Sequence, residues 1–241
     1  MRAPRLGGAR LIELIERFDG VRALVSASAD DLRRAGLDDD IVQTIVRFDK
    51  KRLEQDIEWL DTPGHSLITW RDARYPSLLR SLSSPPAALF VDGDPDVLWQ
   101  PQMSVIGSRN PTAGGRENAR DFASELARQG LTITSGMADG IDSEAHIAAL
   151  DAGGGTVAVL GTGADVVYPA SGAALASRIA EQGALVSEFP PGTPARRFHF
   201  PLRNRIISGL SMGVLVIEAG LRSGTLITAR LAGEQGREIF A

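Results

Sequence analysis

Apolar residues recur at two different spacings along the chain, and the change in spacing divides it into two parts. In residues 1–62 the spacing is helical, with one apolar stripe over residues 11–18 and another over residues 41–60. A Ser-x-x-Asp pattern that starts at Ser28 predicts the beginning of a short helix, which stops at Gly36. The first 62 residues are therefore predicted to form a small bundle of three or four helices, with both stripes in its core.

From residue 63 onward, short β-branched or apolar runs alternate with longer helical patterns. The predicted strands are 88–91, 103–106, 131–134, 156–160, 184–186, 213–217 and 238–240, and the predicted helices are 115–129, 141–152, 172–182 and 225–235. Apolar strands separated by helices are typical of a parallel sheet covered on both faces. The right-handed crossover rule then favours an α/β fold with a Rossmann-like, doubly wound, mostly parallel sheet in a domain of residues 63–241, which opens with a proline-rich connector.

Composition restricts the chemistry of this fold. The chain has 241 residues, 43% of them apolar, a formal charge of −4 and no cysteine. A disulfide framework, a thiolate zinc site and a cysteine nucleophile are therefore excluded. We find no apolar segment of about 20 residues and no apolar signal core near the start, so we expect a cytoplasmic protein. Because the sequence ends inside a predicted strand, we also expect it to be a piece of a longer protein.

Glycine-rich loops follow four of the predicted strands, at the edge where ligands of open parallel sheets bind. Such loops present backbone N–H groups and helix N-termini to an anion. None matches the dinucleotide or P-loop fingerprint, and each alone could be a tight turn. Four on one edge favour phosphate binding, with candidates at Gly107, Ser108, Arg109, Thr112, Ser135, Gly136, Ser223, Gly224 and Thr225. Arg109 follows its strand directly, and its alternative role is a structural ion pair.

A local excess of positive charge lies between Glu188 and Glu218, where the sequence has four arginines and no acid. Phe198 and Phe200 are interleaved with these arginines, as in sites that grip phosphates and stack bases of single-stranded nucleic acid. The alternative is that the rings fill the core and the arginines pair with carboxylates. The segment Arg203-Asn204-Arg205 is predicted to begin an apolar helix, where cations oppose the helix dipole and need an anionic partner. Phe200, Arg203, Asn204 and Arg205 are therefore candidate binding residues.

Signals of catalysis are weak. The three histidines are scattered, and only His146, one helical turn from Asp142, could form an acid–base or metal pair with a neighbour; a buried structural histidine is the other interpretation. No general base has a spacing that would activate Ser135 or Ser223 as a nucleophile. We therefore predict no catalytic residue, no cofactor and no metal.

With these motifs in view, the sequence resembles the DprA/Smf family of DNA-processing proteins of bacterial natural transformation. The resemblance rests on ordered matches from Tyr75-Pro76 to the end of the chain, among them Gly107-Ser108-Arg109 with Thr112, Ser135-Gly136-x-Ala138-x-Gly140-Ile141-Asp142, Phe200-Pro201-x-Arg203-Asn204-Arg205, and Ser223-Gly224-Thr225. The N-terminal bundle is similar to the sterile-alpha-motif-like or helix-hairpin-helix-like domain of many members. Ala113-Gly114-Gly115 departs from the family, which usually has an aromatic residue before a glycine there.

The resemblance implies a homodimer that binds and protects single-stranded DNA, helps to load the RecA recombinase onto it, and catalyses no reaction. Two other functions compete with it. A Rossmann-like nucleotide hydrolase, of the lysine-decarboxylase-like phosphoribohydrolase type, would use Glu218 and the loop that follows. A protein-interaction scaffold would bind a recombinase and ignore DNA.

Overall fold

The computed structural model describes residues 6–220 and 223–241. The first of these ranges begins with five helices: α1 (Gly8–Arg17), α2 (Val21–Ser26), α3 (Ala29–Arg34), α4 (Asp39–Val46) and α5 (Lys50–Leu60). Ser28 caps α3 as predicted, because its hydroxyl accepts the N–H of Asp31 at 3.1 Å. The first four helices share an apolar core around Leu14 and Leu32, which confirms that the first apolar stripe is buried.

The fifth helix does not join this core. Leu53 and Ile57 of α5 are 46% and 48% exposed. The helix instead packs on the next strand through Trp59, whose ring stacks on that of His65 with 4.0 Å between centroids. The prediction that residues 53 and 57 belong to the core of the bundle is therefore wrong. Helical spacing identifies an apolar face, but not the surface that the face contacts.

The remaining chain forms one sheet of eight strands among the described residues. The strands are β1 (His65–Thr69), β2 (Ala88–Gly93), β3 (Gln102–Gly107), β4 (Thr132–Ser135), β5 (Thr156–Val159), β6 (Ala184–Ser187), β7 (Gly213–Glu218) and β8 (Glu238–Phe240). Their order in the sheet is β1-β2-β6-β5-β4-β3-β7-β8. Strands β3 to β8 run parallel, whereas β1 and β2 are antiparallel additions at one edge. The pattern did not predict β1, in which Ile68 is the one fully buried residue.

Helices cover both faces of the sheet. They are α6 (Ser77–Arg80), α7 (Ala113–Arg128), α8 (Ile141–Asp151), α9 (Ala173–Gln182), α10 (His199–Leu210) and α11 (Gly224–Glu234). Alternate residues of β5 point to opposite layers: Val157 and Val159 pack in the cluster that contains Ile206 of α10, and Ala158 packs in the cluster that contains Ile179 of α9. The predicted Rossmann-like, doubly wound sheet is therefore confirmed.

Two details of topology position the site. The chain proceeds from β3 to β4 on one side, whereas β7 lies on the other side of β3, so the loops after β3 and β7 diverge and leave a crevice. Helix α10 begins at His199 and includes Pro201, which is tolerated because it lies in the first turn of the helix. Arg203 and Arg205 thus lie in its second turn, and the prediction that they begin the helix is wrong.

Candidate functional site

A cleft of about 770 Å³ opens at the carboxyl edge of the sheet, between the loops after β3 and β4, the helix α10 and the start of α11. It contains nine of the thirteen predicted binding residues: Gly107, Ser108, Arg109, Phe200, Arg203, Asn204, Ser223, Gly224 and Thr225. The other four, Thr112, Ser135, Gly136 and Arg205, do not line it. Leu221 and Arg222, which belong to the fourth glycine loop of the sequence, lie outside the described residues.

The loop after β3 is anchored at its start and leaves its arginine free. The carbonyl of Gly107 accepts the hydroxyl of Thr225 at 2.9 Å, and the carbonyl of Ser108 accepts the N–H of Ile141 at 3.1 Å. A Cβ on Gly107 would lie 2.5 Å from Ile141, so this close approach requires glycine. Arg109 is exposed and forms no hydrogen bond or ion pair within the described residues. The structural alternative, an ion pair at Arg109, is not what the structure shows.

The hydrogen-bond donors of the loop after β4 are bonded to acceptors within the protein. Ser135 is fully buried and donates its hydroxyl to the carbonyl of Val105 at 2.6 Å. The N–H groups of Gly136 and Ala138 donate to the carboxylate of Asp142 at 3.1 and 3.3 Å. The hydroxyl of Ser135 and the N–H of Gly136 thus already have acceptors within the protein, and neither residue lines the cleft, so their role in phosphate binding stays a prediction.

Arg203 lies in the wall of the cleft but is 5% exposed. Its guanidinium donates to the carbonyl of Gly136 at 2.8 Å, and Asp142 is its nearby counter-charge. Burial lowers the pKa of Arg203 to about 10, and burial raises the pKa of Asp142 above its usual range. Arg203 therefore contributes positive potential and shape to the wall, whereas it has little surface with which to touch a phosphate.

Arg205 points away from the cleft, to the other side of α10. It forms an ion pair with Glu188 in which both side chains are largely buried. Burial raises the pKa of Glu188 despite this partner. The anionic partner of Arg205 is a carboxylate 17 residues earlier in the same chain, so the guanidinium is not available to the cleft and the predicted role of Arg205 in DNA binding stays a prediction.

The start of α11 closes the opposite side of the cleft. The hydroxyl oxygen of Ser223 is buried and has no hydrogen-bond partner in the described part of the chain. Asn204 donates its side-chain amide to the carbonyl of Gly224 at 3.5 Å. Asn204 and Thr225 thus tie α10, α11 and the loop after β3 together, and the N-terminus of α11 faces the cleft with its positive dipole end.

Two residues of the cleft were not among the predicted ones. Arg197 is exposed, lines the cleft and forms no ion pair with any described residue; the acid-free run between Glu188 and Glu218 was the signal that could have found it. Tyr168 is 47% exposed, and its ring centroid lies 5.3 Å from that of Phe200. The cleft thus combines free guanidinium groups with an aromatic pair. Phe198, by contrast, lies outside it.

The described residues hold no group of three or more histidines, aspartates or glutamates that could bind a metal. His146 is buried, and its Nδ1 lies 2.7 Å from the hydroxyl of Thr156 rather than on Asp142. In residues 6–220 and 223–241, every helix is too short or too polar to span a bilayer.

An open, mostly parallel sheet with a cationic and aromatic cleft at its carboxyl edge defines a Rossmann-like domain whose cleft is a candidate binding site. The chain belongs to the family of DNA recombination-mediator protein A, whose family model matches residues 66–241. The resemblance seen in the sequence is thereby confirmed.

Relatives and solved structures agree with this assignment. Protein Smf of Escherichia coli is 48% identical over 211 residues, which are 87% of this chain and 56% of that protein. DNA processing protein DprA of Bacillus subtilis is 39% identical over 219 residues, 90% of this chain and 72% of that protein. The structure of Streptococcus pneumoniae DprA superposes with a TM-score of 0.87 at 34% identity, covering 100% of this chain and 83% of that one.

A second structure bears on the ligand. DNA processing protein A of Helicobacter pylori, which binds single-stranded DNA, superposes with a TM-score of 0.66 at 30% identity, covering 72% of this chain and 79% of that one. This chain thus spans a little more than half of the Escherichia coli relative and most of these two solved structures.

Proposed function

We propose that the cleft binds single-stranded DNA. Phosphates would contact Arg109, Arg197 and the start of α11, with Gly107, Ser108, Asn204, Ser223, Gly224 and Thr225 shaping the surface. Bases would stack against Tyr168 and Phe200, since flat rings accept any base face. The observation that supports this most directly is that two exposed guanidinium groups, without partners in the described residues, lie in one cleft with an aromatic pair.

The wider role that we propose follows the family. The protein would protect incoming single-stranded DNA in natural transformation and help to load the RecA recombinase onto it, as a homodimer in the cytoplasm. Membership of a family of recombination mediators supports this role, as does the single-stranded DNA binding of the Helicobacter pylori relative.

The Arg109→Ala substitution tests the binding site. If Arg109 neutralises one phosphate, the variant should bind a fluorescent single-stranded oligonucleotide about tenfold more weakly, and the slope of log K against log salt should become shallower by about 0.7. Fluorescence anisotropy at several salt concentrations measures both.

Duplex DNA should bind more weakly than the single strand, since paired bases cannot stack on Tyr168 and Phe200.

Arg178→Ala is the matched control, because Arg178 is a partly exposed arginine that pairs with Asp151, and neither residue lines the cleft. It should leave affinity and salt slope unchanged. Equal affinity of Arg109→Ala and wild type for the single strand would remove the proposed site.

We also propose that the chain catalyses no nucleotide hydrolysis. In the competing hydrolase function Glu218 would be the catalytic carboxylate, but its oxygens already accept hydrogen bonds from Thr112, and it does not line the cleft. Release of free base from nucleoside monophosphates, lost in Glu218→Gln, would contradict this proposal.

A further inference from the structure

Glu218 is an acidic residue beside a loop that we propose to bind phosphates. It ends β7, next to the last residue of β3. The pairing of these strands shifts there: Ile106 pairs with Val216, but Gly107 pairs with Glu218, so Ile217 is an extra residue that forms a bulge. A bulge turns the side chains that follow it, and here it accompanies the contact of Glu218 with the end of the loop after β3.

The carboxylate of Glu218 holds Thr112 by both of its donors. It accepts the N–H of Thr112 at 3.0 Å and the hydroxyl of Thr112 at 2.7 Å. Because the hydroxyl proton is given to Glu218, the hydroxyl oxygen is left to accept the N–H of Gly115 at 3.0 Å, which caps α7. One carboxylate thus orders both the end of the loop and the first turn of the helix. These hydrogen bonds from Thr112 hold the pKa of Glu218 below its usual range, so that it is ionised at neutral pH.

The loop between these anchors is short. At its start, Gly107 and Ser108 are bonded to Thr225 and Ile141; at its end, Thr112 is bonded to Glu218. Arg109 lies between the two anchors and has no partner of its own in the described residues, so the backbone alone sets where its side chain starts.

Charge alone would give Glu218 the opposite effect. A carboxylate close to a phosphate-binding loop repels the ligand, and removing it should strengthen binding. We propose that Glu218 is instead a positioning residue for Arg109: it fixes the end of the loop after β3, so that its loss weakens the binding of single-stranded DNA. This inference rests on the proposed function, and the sign of the effect separates it from simple electrostatics.

The test compares Glu218→Ala with Glu117→Ala. Glu117 is exposed on α7, close to the same helix start, and does not contact Thr112, so both variants remove one negative charge and only one releases the loop. By anisotropy with a single-stranded oligonucleotide, Glu218→Ala should bind about fivefold more weakly than wild type, the factor that corresponds to the net contribution of one typical hydrogen bond, and less than the loss in Arg109→Ala because the arginine itself remains. Glu117→Ala should bind equally or slightly more tightly.

Two further readouts exclude a merely structural effect. The salt slope of Glu218→Ala should become shallower, toward that of Arg109→Ala, and the double variant should bind no more weakly than Arg109→Ala alone, because both changes remove the same contact. Glu218→Gln keeps an acceptor oxygen without the charge, so it should bind more tightly than Glu218→Ala. If thermal unfolding shows that Glu218→Ala is not folded, Glu218→Gln is compared with Glu117→Gln instead. Glu218→Gln should then bind single-stranded DNA about twofold more weakly than Glu117→Gln.

Glu218→Ala and Glu218→Gln that both bind as tightly as wild type or more tightly would overturn the inference, and so would additive losses in the double variant. If Arg109→Ala still binds weakly in either case, the proposed function stands and only the role of Glu218 fails. If Arg109→Ala binds single-stranded DNA as tightly as wild type, that result would instead remove the proposed binding site, and this inference with it.

Discussion

Asp142 and Arg203 are buried in the wall of the cleft, and His146 is buried close enough to Arg203 to be affected by its charge. The hydroxyl of Thr156 donates to the carbonyl of Ile133, so it must accept its second hydrogen bond from Nδ1 of His146. Nε2 of His146 is therefore unprotonated, and it has no partner in the described residues. Burial, together with the positive charge of Arg203, lowers the pKa of His146 to about 3.

This pKa predicts a specific loss of stability in acid. Between pH 3 and the unfolded pKa of about 6.5, His146 of the unfolded chain binds a proton, whereas buried His146 of the folded protein does not. The free energy of unfolding therefore falls by up to about 1.4 kcal/mol for each pH unit below 6.5. His146→Gln cannot be protonated and should lose less stability between pH 6.5 and 4.5. Urea unfolding at both pH values measures the difference. Parallel losses in wild type and variant would contradict the assignment of a neutral His146.

Among the elements, helix α7 begins with two adjacent glycines, Gly114 and Gly115, directly after its first residue. A Cβ on Gly114 would meet nothing within 4 Å, whereas a Cβ on Gly115 would lie 2.5 Å from a carboxylate oxygen of Glu218. The second glycine therefore makes room for the contact that anchors the loop, and the first has no such steric reason in the structure.

The two glycines should respond oppositely to alanine. Gly114→Ala should raise the free energy of unfolding by about 0.5–1 kcal/mol, because alanine loses less backbone entropy in a helix, and should leave DNA affinity unchanged. Gly115→Ala should lower stability and weaken single-strand binding, since Glu218 must move. Thermal unfolding and anisotropy check both, with each variant as the other's control. A stabilised Gly115→Ala with wild-type affinity would refute the steric argument.

For the elements, sequence periodicity was a good guide. All seven predicted strands occur, with ends shifted by at most two residues, because continuous apolar runs between helices are typical of strands in a sheet that is covered on both faces. Periodicity missed β1, whose five residues include polar His65 and Ser66 and one fully buried position. It also began α10 too late, since a proline in the first turn does not interrupt a helix.

In the molecule as a whole, β8 is an edge strand of the sheet and all three of its residues are exposed. Ile239 and Phe240 present apolar side chains on a strand whose outer edge pairs with no other strand of the described residues. Such an edge invites pairing with another chain unless it is covered or charged. It is the surface on which we expect a second copy to dock.

Light scattering tests this expectation. The wild-type protein should have twice the monomer mass at micromolar concentration, and Ile239→Lys should shift it toward the monomer, because a charge on an edge strand disfavours pairing. Val21→Lys, which alters an exposed valine on α2 in the N-terminal helices, is the control and should leave the mass unchanged. A monomer at every concentration would refute a dimer of this chain.

The order of apolar, glycine and charged residues was enough to determine the class of fold, the edge of the sheet at which the cleft opens and nine of the residues that line it. These properties depend on local periodicity and on the rule that an open parallel sheet binds its ligands in a crevice outside the carboxyl ends of the strands. Which cations are free was decided only by the tertiary structure. Arg205 meets Glu188 and Arg203 lies near Asp142, whereas Arg109 and Arg197 meet no acid in the described residues. Ion pairing depends on distances of a few ångströms between residues far apart in the chain, and spacing along the sequence does not contain those distances.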